Sequence, residues 1–248
     1  MSSVHDCTEE PGRSEGVQQA ADAVRRGALV VLPTDTVYGI AADAFSDEAV
    51  AALLAAKGRG RAMPPPVLVP DAATMDGLAQ DVPAEARALV TEFWPGALTI
   101  ICWAQPSLAW DLGDTAGTVG LRMPDHELTL AVLAETGPLA VSSANRSGKP
   151  AATTMDEAMA ALGESVEVYL DAGACAGSEP STIVDATGPV LRVVRLGARS
   201  VERLRAVAPS LLGPDGEAPV SLDKPAPPDD EPAPPDDEPP VSLVKPPP

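Results

Sequence analysis

The sequence predicts an α/β fold, a three-layer domain built on a mixed, twisted sheet. Strand-like and helix-like segments alternate along the chain, and several strand pairs have no helix between them, so some pairs are expected to be antiparallel. Aromatic residues make up only 3% of the 248 residues, whereas aliphatic residues are abundant. A core of Val, Leu, Ile and Ala is typical of sheets covered by Ala-rich helices.

The individual elements follow from apolar periodicity and from helix-capping residues. In the first half we predict a helix over 18–26 ended by Gly27, a strand over 28–32, a helix from Ser46 or Asp47 to Ala56, a strand over 67–69, helices over 72–80 and 83–92, and a strand over 97–103. In the second half we predict helices over 128–136 and 156–162 and strands over 118–122, 139–141, 166–170, 182–185 and 191–194.

The ends of the chain differ in composition from its middle. Residues 1–13 are polar and are expected to be flexible, and residues 14–210 are expected to form one core domain. From about Gly213 the sequence becomes rich in Pro, Asp and Glu, with Pro-Pro-Asp-Asp-Glu-Pro at 227–232 and again at 234–239. Such a segment buries too little apolar surface to offset its ordering entropy. We therefore expect residues 211–248 to form a disordered acidic tail, with a solubilising role favoured over partner docking.

Charge and cysteine content limit the classes of function. The net charge is −19; residues 215–248 carry −7 and the other 214 residues carry −12. Generic RNA binding is disfavoured, because phosphate contacts require clustered cations. Three widely separated cysteines indicate neither a disulfide framework nor a zinc site. With no signal peptide and no apolar run of about 20 residues, we expect a soluble cytoplasmic protein without a membrane contact.

The segment Pro33-Thr-Asp-Thr-Val-Tyr-Gly39 directly follows the apolar run 28–32. Hydroxyl and carboxylate groups at the end of a buried strand are typical of a small-molecule site at the mouth of an open α/β sheet. Further along, Lys57, Arg59 and Arg61 share one glycine-spaced loop. These cations either bind a polyphosphate or simply favour the helix macrodipole at the end of the preceding helix.

Three weaker signals lie at later strand ends. The segment Ser142-Ser-Ala-Asn145 is either a source of neutral hydrogen-bond donors or an ordinary turn. Arg122 and Arg195 each close a strand, either as rim residues or as anion clamps, and Ser181 adds a hydroxyl at a strand start. The chain contains neither a Walker A sequence nor a nucleophile elbow.

Together these segments resemble the Sua5/YciO/YrdC family of L-threonylcarbamoyladenylate synthases over roughly residues 15–207. The resemblance rests on seven motifs in the family's order: Pro33 to Gly39, Lys57-Gly-Arg59, Phe93-Trp-Pro-Gly-Ala-Leu-Thr99, Val119-Gly-Leu-Arg-Met-Pro124, Ser143-Ala-Asn145-x-Ser-Gly148, Ser181-Thr-Ile-Val-Asp185 and Arg195-x-Gly197. It implies the short, single-domain form of the family, with a sheet of about seven strands and a concave ligand cleft.

The resemblance also implies an activity: L-threonine, bicarbonate or CO2, and ATP give threonylcarbamoyl-AMP and pyrophosphate. The product would feed a transferase that modifies tRNA adenosine beside the anticodon, with at most weak tRNA contact by this chain. Mg²⁺ is implied as a cofactor that accompanies ATP, without a protein metal site. The alternative is a YrdC-like double-stranded RNA-binding or regulatory module, and a third reading is a carbamoyl-handling module of a maturation enzyme.

Residue roles are implied by matching motif positions. Lys57, Arg59, Ser143 and Asn145 are implied to be catalytic. The implied threonine contacts are Thr36, Arg122, Val141 and Ser181, and the implied ATP contacts are Lys57, Arg59, Met63, Thr118, Ser143, Asn145, Ala151 and Arg195. One departure stands out, because Leu68 occupies a position where family members often carry histidine. That wall of the threonine pocket should therefore lack a polar contact.

Overall fold

The central element of the molecule is one large mixed β-sheet, seen in a computed structural model that describes residues 2–218. Within that range eleven strands occur: β1 (Ser3–Asp6), β2 (Val30–Leu32), β3 (Gly39–Asp43), β4 (Val67–Leu68), β5 (Ala79–Gln80), β6 (Leu98–Ala104), β7 (Thr118–Arg122), β8 (Leu139–Ser143), β9 (Val168–Asp171), β10 (Thr182–Asp185) and β11 (Arg192–Arg195). Their order across the sheet is β1-β9-β2-β3-β8-β4-β7-β6-β10-β11, and β5 pairs with β6.

Parallel and antiparallel pairs are interspersed in this sheet, as the sequence predicts. The pairs β1–β9, β2–β9, β4–β7 and β6–β10 are parallel. The pairs β2–β3, β3–β8, β4–β8, β6–β7, β5–β6 and β10–β11 are antiparallel. The α/β class is therefore confirmed, although the sheet has more strands than the seven expected.

Seven α-helices accompany the sheet in the described part of the chain: α1 (Gly12–Arg25), α2 (Asp47–Lys57), α3 (Thr74–Leu78), α4 (Ala84–Phe93), α5 (Glu127–Thr136), α6 (Met155–Leu162) and α7 (Val201–Arg205). The bounds of α2 follow from its ends. Ser46 caps the first turn by accepting from the Ala49 amide at 3.2 Å, and Gly58 takes the left-handed conformation after the last turn. In residues 2–218 every helix is too short or too polar to pass through a lipid bilayer.

The helices cover the two faces of the sheet unequally. One face packs on α2, α3, α4, α6 and α7 through a large apolar cluster that includes Leu53, Leu89, Ile100, Leu121 and Leu204. The other face packs on α1 and α5 through a smaller cluster that includes Val24, Leu32, Val132, Leu139 and Leu170. Among the described residues, this smaller cluster has no member from β6, β7, β10 or β11. That half of the second face consequently remains open for a ligand.

Both boundary predictions need correction where the structure describes them. Within residues 2–13, β1 pairs in register with β9, and α1 begins at Gly12 rather than at residue 18, so the segment contributes to the fold and is not the flexible segment expected. At the other end, Leu211 is fully buried, and the Leu212 amide donates to the Leu191 carbonyl at 2.9 Å. The folded part thus extends past residue 210, whereas the expected disorder of 219–248 lies outside the described residues.

Three further elements differ from the sequence prediction. The strand β3 and the helix α7 had no predicted counterpart, and the helix predicted over 72–80 ends at Leu78. The two residues after it form β5 because they add to the edge of β6. The two strands β3 and β5 arise where tertiary contact, rather than local sequence pattern, decides the conformation. The helix α7 instead begins at a local cap, since the Ser200 hydroxyl accepts from the Arg203 amide at 3.4 Å.

Candidate active site

The open half of the second sheet face forms a cleft of about 270 Å³. Alternate residues of neighbouring strands line it, because side chains two apart in a strand share one face. On β6 these are Thr99 and Ile101, on β7 Thr118, Gly120 and Arg122, on β8 Val141 and Ser143, and on β10 Ile183 with Ser181 just before it. The cleft therefore lies on the face of the sheet and not at the mouth that the first motif alone suggested.

The first motif forms the connection of the hairpin between β2 and β3. Thr34 organises it, since its hydroxyl donates to the Val37 carbonyl at 2.7 Å and accepts from the amides of Thr36 and Val37 at 3.1 and 3.2 Å. The Thr36 hydroxyl lies 2.9 Å from that of Thr34. This turn holds both hydroxyls at the edge of the cleft.

Arg122 is the most constrained cation of the cleft. Although it is only 7% exposed, its Nε donates to the Gly96 carbonyl at 3.0 Å, its Nη1 to the Thr36 hydroxyl at 3.2 Å and its Nη2 to Asp35 Oδ1 at 2.5 Å. Burial lowers the pKa of Arg122. An arginine carries five N–H donors, so two remain, one on each terminal nitrogen, for a ligand carboxylate.

Ser181 links a second arginine to the cleft. Its hydroxyl lies 2.8 Å from that of Thr99 and accepts from Arg195 Nη2 at 3.1 Å, and its carbonyl accepts from the same nitrogen at 2.7 Å. Burial, together with the nearby Arg122 and Arg59 guanidinium groups, lowers the pKa of Arg195. The three arginines therefore act on one another across a single cleft.

The three cationic side chains at the end of α2 and in the loop after it point in different directions. Arg59 lines the cleft and donates to the Ser142 hydroxyl at 3.0 Å, while its Nε is buried without a partner in the described residues. Arg61 points to another loop, where it pairs with Asp111 at 2.8 Å and Asp114 at 3.6 Å. Only Arg59 of this loop therefore faces the cleft directly.

Lys57 faces away from the cleft. Its ammonium is buried and donates to the Ser143 carbonyl, to the Asn145 carbonyl at 2.7 Å and to Asn145 Oδ1 at 3.4 Å. In the reverse direction, the Ser147 amide donates to the Lys57 carbonyl at 2.9 Å. Burial and the neighbouring Arg59 charge lower the pKa of Lys57 to about 8.

The structure brings together eight of the twelve residues that the sequence singles out for the site. These eight line the cleft: Thr36, Arg59, Thr118, Arg122, Val141, Ser143, Ser181 and Arg195. The other four do not line it. Lys57 and Asn145 lie behind the Ser143 turn, Ala151 is half-buried in the loop that follows, and Met63 is 49% exposed at the tip of the cationic loop. The functional roles of all twelve stay predictions.

Four polar residues of the site were missed as contributors. Asp35 pairs with Arg122, Thr34 organises the first turn, Thr99 contacts Ser181, and Ser142 accepts from Arg59. A usable signal existed for Thr34, Asp35 and Thr99, because all three lie inside the motifs that carry the family resemblance. Ser142 opens the segment Ser142–Asn145, which the sequence offers as a source of neutral hydrogen-bond donors, although no role was predicted for Ser142 itself.

One wall of the cleft is apolar. It consists of Pro64, Pro65, Pro66 and Leu68, with Leu112 and Val119 nearby. Leu68 is buried in β4 beside Arg122 of β7. With no polar group at position 68, the guanidinium of Arg122 has a hydrocarbon neighbour on this side. The low dielectric constant of that neighbour strengthens the attraction between the guanidinium and an anion.

The charged side chains in the described lining of the cleft are all of one sign. Among the cleft-lining residues within 2–218, Arg59, Arg122 and Arg195 are cationic and none is Asp or Glu. Hydroxyl groups of Thr34, Thr36, Thr99, Thr118, Ser143 and Ser181 supply neutral hydrogen-bonding groups around them. Three guanidinium groups with hydroxyl neighbours define an α/β protein whose cleft is suited in charge to a small molecule bearing several negative charges.

Comparison with known proteins places this α/β protein in a family. The profile of the Sua5/YciO/YrdC family, described as "Telomere recombination", matches residues 22–197, and the chain belongs to that family. A Mycobacterium leprae protein named "Putative threonylcarbamoyl-AMP synthase" is 54% identical over 207 residues, which cover 84% of this chain and 94% of that protein.

Two longer proteins are also similar. The threonylcarbamoyl-AMP synthase of Bacillus subtilis is 36% identical over 206 residues, which cover 82% of this chain and 59% of that protein. The crystal structure of Pyrococcus abyssi Sua5 complexed with L-threonine superposes with a TM-score of 0.79 at 30% identity, covering 83% of this chain and 61% of that one. The chain thus spans about three fifths of these two longer proteins.

Proposed function

We propose that the chain is a threonylcarbamoyl-AMP synthase, which makes threonylcarbamoyl-AMP and pyrophosphate from L-threonine, bicarbonate or CO2, and ATP. The observation that carries this proposal is the convergence of Arg59, Arg122 and Arg195 on one cleft whose described lining has no carboxylate. An amino-acid carboxylate and a triphosphate are both anions that such a cleft attracts. The relatives named as synthases, and the threonine complex of the P. abyssi protein, support it.

L-Threonine is proposed to bind at the Arg122 end of the cleft. The two remaining N–H donors of Arg122 suit the two oxygens of its carboxylate, as in other bidentate arginine pairs. Thr36 and Ser181 lie at the same end with hydroxyl groups, and Val141 offers an apolar contact for the substrate methyl group. Together these residues distinguish a small hydroxylated amino acid from a larger apolar one.

ATP is proposed to bind across Arg59, Arg195, Thr118 and Ser143. The two guanidinium groups would neutralise the phosphates, while the two hydroxyl groups would donate to phosphate oxygens. Arg59 retains unpaired buried N–H capacity at Nε, which a phosphate oxygen would satisfy. Met63 and Ala151 would contact the nucleotide at the rim through their backbone.

The chemistry requires positioning more than a protein nucleophile. The amino nitrogen of threonine adds to the carbon of CO2 and loses a proton, which gives a carbamate. A carbamate oxygen then forms a bond to the α-phosphorus of ATP in line with the bond that breaks, and pyrophosphate leaves with its electron pair. The arginines hold the reacting anions together and offset charge on the leaving group.

Mg²⁺ is proposed to enter with ATP. The described residues contain no group of three or more His, Cys, Asp or Glu side chains that could hold a metal ion. This donor set does not fit an all-protein metal cage, but it fits the common case in which Mg²⁺ is held largely by substrate phosphates and water.

Beyond the cleft, we propose that the adenylate product passes to the tRNA threonylcarbamoyl transferase machinery in the cytoplasm. The product is a mixed anhydride of a carbamate and a phosphate, so it is an activated acyl donor that water can hydrolyse. Direct transfer between the two proteins would limit this loss. The acidic surface, with a net charge of −19 for the chain, suggests only weak contact with tRNA itself.

The deciding experiment measures pyrophosphate release and adenylate formation by the purified chain with ATP, Mg²⁺ and bicarbonate. L-Threonine should stimulate both products, whereas L-valine, which lacks the hydroxyl group, should not. An Arg122→Gln variant, which loses the charge but keeps hydrogen-bonding groups, is the matched control and should lose the stimulation. Pyrophosphate release that is the same with and without threonine would refute the proposal.

A further inference from the structure

The structure separates the two cations that flank Gly58. Arg59 lines the cleft, whereas Lys57, two residues earlier, is buried behind the turn formed by residues 143–149. The left-handed conformation of Gly58, with φ of 61°, reverses the chain between them. The two side chains therefore leave the same loop in different directions and cannot serve the same contact.

The surroundings of Lys57 match its donors one for one. A lysine ammonium has three N–H donors and no acceptor. Three oxygens receive them: the carbonyl of Ser143, the carbonyl of Asn145 and Asn145 Oδ1. All three acceptors are uncharged and belong to one turn, so the ammonium has no donor left for a phosphate while this turn keeps its form.

The turn has hydrogen bonds of its own beside those of Lys57, including one from the Asn145 amide to the Ser143 carbonyl at 2.9 Å and one from the Lys149 amide to the Arg146 carbonyl at 3.0 Å. Asn145 Nδ2 donates to the carbonyls of Arg146 and Lys149 at 3.0 and 2.6 Å, and the Ser147 amide returns a bond to the Lys57 carbonyl. Residues 146–150 are exposed and add little apolar packing. Two further bonds join the turn to the rest of the protein, because the Ala144 amide donates to the Tyr38 carbonyl at 2.8 Å and Arg146 Nε to the Ala161 carbonyl at 3.2 Å. Lys57, with three donated bonds and one accepted, makes more such bonds than either of these partners.

We infer that Lys57 is a positioning residue that acts through the Ser143–Lys149 turn, and that it does not contact ATP. This inference rests on the proposed function for its catalytic consequence. Its structural part concerns the free protein and can be tested without substrates. Lys57 fixes the Ser143 carbonyl on the far side of the strand end, and the Ser143 side chain is thereby held toward the cleft.

The position of Lys57 costs stability, which agrees with a role other than stabilisation. Burial and the nearby Arg59 charge lower the pKa of Lys57 to about 8, so the folded protein holds this proton less tightly than the unfolded chain does. Arg59 is the charged group that faces it from the same loop. The groups facing it from the turn are the neutral oxygens of Ser143 and Asn145.

The test compares amide hydrogen exchange of residues 143–149 in the free protein for wild type, Lys57→Met, Lys57→Arg and the matched control Arg59→Met. Methionine keeps the four-atom stem of lysine but lacks the ammonium and its donors, and a planar guanidinium cannot aim three donors at three converging oxygens. Both Lys57 variants should exchange this segment about tenfold faster or more, as expected for local opening. Arg59→Met should exchange at the wild-type rate and yet lose turnover.

Kinetics and a measurement on unmodified protein complete the test. Lys57→Met and Lys57→Arg should lower kcat together, because charge alone does not restore the turn. In wild type labelled with ¹⁵N at the ammonium nitrogens of its four lysines, the Lys57 signal should be protected without ligand and unmoved by a non-hydrolysable ATP analogue. Unchanged exchange in the Lys57 variants, full activity of Lys57→Arg, or a Lys57 signal displaced by the analogue would each overturn the inference.

If the Lys57 variants do not fold, the ¹⁵N experiment alone decides the question. Failure of this inference is distinguishable from failure of the proposed function. Exchange and ammonium protection are read in the absence of substrates, whereas the synthase proposal stands or falls on threonine-dependent pyrophosphate release. Rapid exchange in the variants with no synthase activity in wild type would retain the positioning role and remove the proposed reaction.

Discussion

Arg122 Nη2 lies 2.5 Å from Asp35 Oδ1, and this ion pair joins the end of β7 to the hairpin connection between β2 and β3. Both side chains are largely buried, at 8% and 16% exposure. Asp35 Oδ1 also accepts from the Asp125 amide at 3.1 Å. The carboxylate therefore orients the guanidinium that is proposed to receive threonine, while it does not line the cleft itself.

Replacing Asp35 with Ala should destabilise the protein by about 3 kcal/mol, because a buried arginine would lose its counter-charge. Urea unfolding measures this loss. Asp35→Asn is the matched control, since its amide oxygen can still accept from Arg122 and from the Asp125 amide, and it should lose about half as much. Equal stability of Asp35→Ala and wild type would contradict the structural role of the pair.

Arg122→Lys should raise the KM for threonine about a hundredfold, with a much smaller change in the KM for ATP, because an ammonium cannot replace a bidentate guanidinium contact. Lysine would also lose the bonds to Gly96 and Thr36. Steady-state kinetics with each substrate varied in turn measures the split. Equal increases in both KM values would contradict a specific contact between Arg122 and the threonine carboxylate.

Local sequence signals were sufficient for elements that local chemistry determines. The Ser46 cap and the glycine at position 58 correctly bound α2, and the apolar segments over 97–103, 118–122 and 182–185 correctly identify β6, β7 and β10. The strand β3 could not be found in this way, because Gly-Ile-Ala-Ala-Asp has little intrinsic strand preference. It is a strand because it pairs with β2 on one side and β8 on the other.

The same division applies to the site. Motif order identified Arg59, Arg122 and Arg195, all of which line the cleft. It could not show that Lys57 faces the opposite way from Arg59, because that depends on the chain reversal at Gly58 and on a turn more than 80 residues away in sequence. The sequence correctly indicated the charge of each side chain, whereas only the fold shows whether that side chain points into the cleft or away from it.

Thr99→Val should weaken threonine binding through Ser181. The substitution keeps the shape of the side chain but removes a buried hydroxyl that lies 2.8 Å from the Ser181 hydroxyl. We expect a loss of about 1 kcal/mol in stability, typical of one buried hydrogen bond, together with a higher KM for threonine. Thr91→Val, which alters an exposed hydroxyl on α4, is the control. A Thr99→Val enzyme with the wild-type KM for threonine would show that Thr99 does not support threonine binding.

Gly39→Ala should disturb the floor of the cleft. A Cβ atom at Gly39 would lie 2.7 Å from Val141 Cγ1 on the adjacent strand β8. Separating the two strands enough to relieve this contact should cost about 1 to 3 kcal/mol and lower synthase activity, since Val141 and Ser143 both line the cleft. Gly77→Ala on α3, where a Cβ would meet no atom within 4 Å, should be neutral or stabilising. Thermal unfolding and turnover of the two variants make the comparison.

The stability difference between wild type and Lys57→Met should depend on pH. The pKa of Lys57 is lowered from 10.5 to about 8 in the folded protein, so between these values the unfolded chain binds more protons than the folded one. The free energy of unfolding of wild type should therefore rise with pH in this window relative to the variant. Full relief corresponds to roughly 3 kcal/mol.

Urea unfolding of both proteins at pH 7, 8, 9 and 10 measures the change. Cys7 and Cys102, whose pKa values are raised by burial to about 11 and about 12, act in the opposite direction, since their stabilising contribution is lost as the pH rises. Both thiols are present in wild type and variant alike, so their effect cancels in the difference. Parallel stability curves would contradict a lowered pKa of Lys57 in the folded protein. They would mean that its three hydrogen bonds to buried oxygens fully offset the cost of burying the charge.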